Sequence, residues 1–170
     1  MYTYKILCIS TVVFGLISPI TYAAKAEVNW SNPDKYHDIE AGNHNRAGFK
    51  KHLFASMDKF IAKLAKDLPA QQTLKIKVTD LDLAGDTHDA FTSLSDQIRV
   101  VKDIYFPRIK FSYQLVDEND RIIKSDEVNL KDMNFMLTNN LRYRNEPFGY
   151  DKKMLSDWFK ATFKNDLVSQ

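Results

Sequence analysis

Leu74-Lys75-Ile76-Lys77-Val78-Thr79-Asp80-Leu81-Asp82-Leu83-Ala84-Gly85 begins as strict alternation. Leu74, Ile76 and Val78 fall on one side of an extended chain, and Lys75, Lys77 and Thr79 on the other. That is the pattern of a strand with one face in a core and the other in water. After Val78 the apolar parity moves to Leu81 and Leu83, which predicts a β-bulge near Thr79 or Asp80 that re-aims the side chains. Gly85 closes the strand, and the polar stretch from Asp86 to Gln97 reads as a long loop.

Downstream the same alternation returns. A short strand is predicted over Ile98 to Val101 and a longer one over Ile104 to Val116. In the longer one Ile109, Phe111, Tyr113 and Leu115 face one way, and Arg108, Lys110, Ser112 and Gln114 the other. Pro107 lacks a backbone donor and implies an edge or a bulge at that point. Asp117 to Asp120 reads as a hairpin turn leading to a strand from about Arg121 to Leu130. Lys131 to Tyr150 is irregular, and a last helix runs from Asp151 to about Asn165 with Met154, Leu155, Trp158 and Phe159 on one side.

Upstream, Arg46 to Leu68 places Phe49, Leu53, Met57, Phe60, Ile61, Leu64 and Leu68 on one helical stripe, and Pro69 ends it. Val28 and Trp30 suggest a first strand that Asn32-Pro33-Asp34 stops. Strands apolar on one face only call for helices on a single side of the sheet, because a doubly wound sheet reads apolar on both faces. The expected fold class is α+β: a two-layer sandwich, with a mixed sheet of four to five strands and two helices on one face. The first strand, helix and second strand should make a right-handed crossover, and the later strands an antiparallel meander.

The amino terminus has a different character. Lys5 precedes an apolar run from Ile6 to Ile20, too short to span a bilayer and interrupted by Gly15 and Pro19. This is the layout of a cleavable secretory signal. Ala24-Lys25-Ala26 offers the small residues a signal peptidase needs, so cleavage is expected before Glu27, with a cut before Ala24 as the alternative. Residues 1–26 are thus a signal peptide and 27–170 a single globular domain, periplasmic or secreted. Cys8 leaves with the peptide, so the mature chain has no thiol for a disulfide, a thiolate metal site or a cysteine nucleophile. Lys5 and Lys25 leave too: 24 basic residues less 2 are 22, against 22 acidic ones, so the precursor's +2 belongs to its leader.

Several segments of the mature chain, taken together, resemble the bacterial domain of unknown function family 3016. They are Asn32-Pro33-Asp34-Lys35-Tyr36, Leu74 to Gly85 as quoted, Ile98-Arg99-Val100-Val101, Pro107-Arg108-Ile109, Asp132-Met133-Asn134 and Met154-Leu155-Ser156-Asp157-Trp158-Phe159. That family comprises small exported proteins without an assigned activity. The resemblance implies export and a single domain, and it carries no catalytic residue.

Candidate chemistry falls into four groups. Asp80, Asp82, Asp86 and Asp89 with His88 offer oxygen ligands at a strand end, without the glycine and closing glutamate of an EF-hand. Turn capping explains such carboxylates equally well. His37, Asp38, Glu40 and His44 have ligand chemistry without a zinc spacing, and His52 flanks the helical stripe as a packed or solvated residue. Lys75, Lys77, Arg108 and Lys110 should project together from the uncovered sheet face. There they either attract an anionic polymer or keep a bare sheet soluble. No aromatic residue joins them, which argues against nucleic-acid bases as the ligand. Arg142, Tyr143, Arg144 and Tyr150, with Phe148, carry the side chains that interfaces favour, and the same aromatics serve to pin a long crossover to the core.

No G-x-S-x-G elbow, phosphate-cradling glycine loop or H-E-x-x-H occurs, and no cofactor is expected. Two classes of function follow. The first is a non-catalytic envelope module that binds an anionic polymer or a protein partner. The alternative is a small hydrolase or metal-dependent enzyme using residues 80–89.

Overall fold

The computed structural model describes residues 23–40, 46–87, 99–137 and 141–167, Leu141 and Arg142 by their backbone only. The elements are β1 (Lys25–Trp30), a 3-10 turn (Pro33–Lys35), α1 (Arg46–Ala65), β2 (Thr73–Asp82), β3 (Arg108–Val116), β4 (Ile122–Lys131), α2 (Leu141–Arg144) and α3 (Gly149–Phe163). The sheet has four strands in the order β1-β2-β3-β4, with β1 parallel to β2 and the other neighbours antiparallel.

Register explains why one face is apolar. Ala26, Val28 and Trp30 stand beside Leu74, Ile76 and Val78, and those three stand beside Leu115, Tyr113 and Phe111. Onto this face α1 lays Leu53, Met57, Ile61 and Ala65, while α3 lays Met154, Leu155, Phe159 and Phe163. Trp158 closes edge-on against Phe111 at 4.7 Å and Tyr113 at 5.3 Å, and Trp30 meets Phe54 of α1 at 4.7 Å. The helices therefore share the sheet's apolar side, and the α+β two-layer sandwich expected from one-sided alternation is the fold.

The bulge lies where the parity break places it. The register of β2 against β3 shifts between Val78 and Asp80, so Leu81 again meets Ile109 in the core while Asp80 faces Lys110 and Asp82 faces Arg108. The hairpin turn also forms as expected. The Asp117 carboxylate accepts the backbone N–H groups of Asn119 and Arg121 and the Arg121 Nε–H, which holds its pKa below the ordinary range.

Several elements differ from the sequence reading: β1 begins at Lys25, α3 at Gly149, and the short helix α2 forms within the stretch expected to be irregular. Of the strand expected over Ile98 to Val101, Ile98 lies outside the described residues, and Arg99 to Val101 contribute one bridge, Val100 with Asp86. The side chain of Arg99 turns that segment onto the end of β2 instead of letting it run along the sheet. β3 starts at Arg108 and not at Ile104, since Pro107 cannot donate to a ladder and Tyr105 N–H closes a turn on the Lys102 carbonyl. α1 stops at Ala65, three residues before Leu68: Pro69 disfavours helical geometry at its predecessor, and Asp67 and Leu68 tighten into turns on Leu64 and Ala65.

The start of the fold also bears on the two cleavage sites expected from the sequence. Lys25 and Ala26 pair with Thr73 and Leu74, and Ala24 is buried in the core. A chain beginning at Glu27 forfeits those two ladder positions and the Ala24 methyl. It is expected to be about 2 kcal/mol less stable than one beginning at Ala24. Urea unfolding of the two purified chains checks this; equal midpoints would show that the first strand does not need its first turn of pairing.

Candidate binding surfaces

On the sheet face away from the helices, register builds two polar rows across all four strands. Asn29, Lys77, Ser112 and Glu127 make one, and Glu27, Lys75, Gln114 and Ser125 the other. The twist of the sheet curves these rows into an open trough of about 640 Å³. Tyr113 contributes only backbone there, since its ring packs on the core side against Trp158 and Phe163.

The four basic residues expected on this face are all there, but they do not behave alike. Lys75 reaches Asp120 at 2.7 Å, Lys110 reaches Asp80 at 3.4 Å, and Arg108 lies 3.5 Å from Asp82. Lys77 is exposed and has no ion-pair partner among the described residues. The face is a mixed polar surface on which most cations already have a carboxylate, with Lys77 the uncommitted charge at its centre.

Part of the acidic group is gathered, with Asp82 and Asp86 lining a pocket of about 270 Å³ together with His37, Asp38 and Glu40. Asp80 takes His37 Nδ1 at 3.2 Å as well as Lys110, and accepts the His37 backbone N–H. Burial raises the pKa of Asp82, with Arg108 opposing. Asp86 pairs its backbone with Val100, while His44, His88 and Asp89 lie outside the described residues. No group of three metal-ligating side chains assembles among the described residues. His52 is exposed, with its ring 5.8 Å from Phe148.

Asp38 belongs to a different network. Both its oxygens accept from the Arg99 guanidinium at 2.9 Å, and the same guanidinium donates to the carbonyls of Gly85 at 2.7 Å and Glu40 at 3.0 Å. Arg99 thus ties the loop after the first strand to the end of β2. Gly85 permits the approach: its φ is +89°, and a Cβ there would stand 2.8 Å from the Val100 carbonyl oxygen.

Beside this hub a cleft of about 400 Å³ opens between α1, the α2–α3 turn and the end of β2. Tyr143, Arg144 and Tyr150, expected as interface residues, line it together with Phe49 and Phe148; the Arg142 side chain lies outside the described set. The aromatics also anchor the crossover. Tyr150 packs edge-on to buried Phe135 at 4.8 Å, Phe148 to Phe49 at 5.7 Å, and Tyr143 to Phe60 at 6.5 Å.

Sequence reasoning missed Asp151, on the first turn of α3. Its side chain lines the cleft, is 3 % exposed, and accepts the Ala84 N–H at 3.2 Å. Desolvation pushes its pKa up to about 7 against the opposing pull of that N–H and of Arg99. The one available signal was a carboxylate immediately after Gly149-Tyr150 at a helix start, a position usually read as a solvated charge favoured by the helix dipole. Arg99 was missed as well, and its signal was a single cation inside the apolar run Ile98 to Val101.

Among the described residues no helix is long and apolar enough to cross a membrane. Neither the curated proteins nor the solved structures provide a significant match to the chain. The sequence profile described as "Protein of unknown function (DUF3016)" matches residues 24–161, from the residue before β1 to within three residues of the end of α3. With the whole sheet and nearly all of the last helix inside that match, the chain belongs to the DUF3016 family.

Proposed function

We propose that this protein is an exported, non-catalytic module that docks an anionic polymer in the trough on its uncovered sheet face. The observation that carries the reading is the pair of polar rows from four adjacent strands, unshielded by any helix among the described residues, with Lys77 in the middle of one row. The carboxylates of Glu27 and Glu127 stand on the two edge strands, and between them the amide, hydroxyl and ammonium groups of Asn29, Lys75, Lys77, Ser112 and Gln114 lie side by side, donors suited to a chain of hydroxylated, anionic units. The surface is polar and open, as a site that holds an extended chain requires. Export follows from the leader, and the pairing of Lys25 and Ala26 inside β1 favours the cut before Ala24 over the one before Glu27.

Retention of the mature chain on immobilised dextran sulfate at low salt tests the proposal. Lys77→Gln is expected to weaken retention several-fold, because it removes the uncommitted charge, and Lys110→Gln and Arg108→Gln less, since each already shares its charge with a carboxylate. A variant with Lys75, Lys77, Arg108 and Lys110 all changed to Gln that still elutes at the wild-type salt concentration would sink the reading.

A further inference from the structure

We propose that the cleft between α1 and α3 is a second binding site, independent of the trough, for an organic cation: a primary amine with an apolar body. Phe49, Tyr143, Phe148 and Tyr150 line the cleft together with Asp151. That carboxyl has almost no access to solvent. It accepts backbone N–H groups from Ala84 and from Asp151 itself. A carboxylate offers about four acceptor positions, so capacity remains for a donor arriving through the cleft.

The charges around it narrow the class. Arg99 commits its two Nη groups to Asp38 and to the carbonyls of Leu83, Gly85 and Glu40, while its buried Nε has no hydrogen-bond partner, and it makes no ion pair with Asp151 among the described residues. Arg144 is exposed at the rim. Glu146, also on the wall, is 3.9 Å from Lys152 Nζ, and that buried ammonium sits 6.0 Å from the centre of the Phe60 ring. The neighbourhood thus already holds one ammonium between a carboxylate and an aromatic face. A ligand amine meeting Asp151 among the aromatic residues that line the cleft repeats that chemistry, combining a charge-assisted hydrogen bond with cation–π attraction.

Phe148 adds an independent mark. It caps α3 with φ +56°, left-handed geometry that is uncommon for a bulky residue and held only where its surroundings enforce it. That conformation lays its ring against Phe49 and His52 at the cleft wall.

The test is an NMR titration of the mature chain at pH 8 with benzylamine and, separately, its neutral isostere benzyl alcohol. Benzylamine is expected to move the amides of Ala84, Tyr143, Phe148 and Asp151 and to bind at least about tenfold more tightly than the alcohol. Asp151→Asn should abolish that preference. Equal affinity for the two ligands, no perturbation in the cleft, or an Asn variant that keeps the preference overturns the proposal. If circular dichroism shows the variant unfolded, the amine–alcohol comparison on the wild-type chain decides alone. The trough plays no part in any arm, so failure here is distinguishable from failure of polymer docking.

Discussion

Asp151→Asn is expected to stabilise the protein by about 4 kcal/mol at pH 8 and by almost nothing at pH 4. The sign follows from where the carboxyl titrates. In the unfolded chain it ionises near its ordinary value of 3.8, whereas in the fold burial holds it protonated up to about 7. Between those values the unfolded state releases a proton that the folded state retains, so wild-type stability falls as pH rises from about 4 to 7 and stays lowered above that range. Asparagine keeps an oxygen for the Ala84 N–H but never ionises. The difference between variant and wild type should therefore grow across the interval and then level off. Urea unfolding at matched pH values measures it. A variant equally or less stable at pH 8 would show that the carboxyl is not held neutral by burial. Carboxyls with strongly perturbed titration concentrate at functional sites.

Gly149→Ala should be the most damaging single methyl in the described fold, at about 3 kcal/mol. A Cβ on Gly149 would stand 1.7 Å from the Tyr143 carbonyl oxygen and 2.6 Å from its carbon. Both atoms are main chain, so no rotamer change relieves the clash. The turn joining α2 to α3 must move, and the cleft wall with it. Shortening the side chain therefore cannot rescue the variant, and the double change Gly149→Ala with Tyr143→Ala is expected to be no more stable than the single one. An unaltered urea midpoint for Gly149→Ala would mean that the α2–α3 turn has slack that this packing denies.

The sheet was legible because a strand buried on one face writes its orientation into every second residue. Leu74, Ile76 and Val78 announce the face, and the slip to Leu81 announces the bulge that the pairing of Asp80 with Lys110 realises. The basic face was legible for the same reason, since Lys75, Lys77 and Lys110 occupy the opposite parity. Their partners were not. Asp120 lies 45 residues from Lys75 in the chain, and Asp80 meets Lys110 only once the strands are paired. Arg99 and Asp151 lay deeper still beyond reach of pattern reading. A guanidinium that gathers backbone carbonyls, and a carboxyl whose neighbours exclude water, are properties of the assembled end of the sheet, and neither periodicity nor spacing encodes them. Arg99 to Val101, the described part of the strand expected from Ile98, makes only a bridge for this reason, because its one charged residue is claimed by contacts at the end of β2.

The most direct test of polymer docking is an amide chemical-shift map of the chain from Ala24 onward titrated with a sulfated oligosaccharide at low salt. The predicted shifts fall on Asn29, Lys77, Ser112 and Glu127 and their neighbours in the second row, fade as salt is raised, and are reduced in Lys77→Gln. Shifts confined to the helical side, or none at all, would contradict the account.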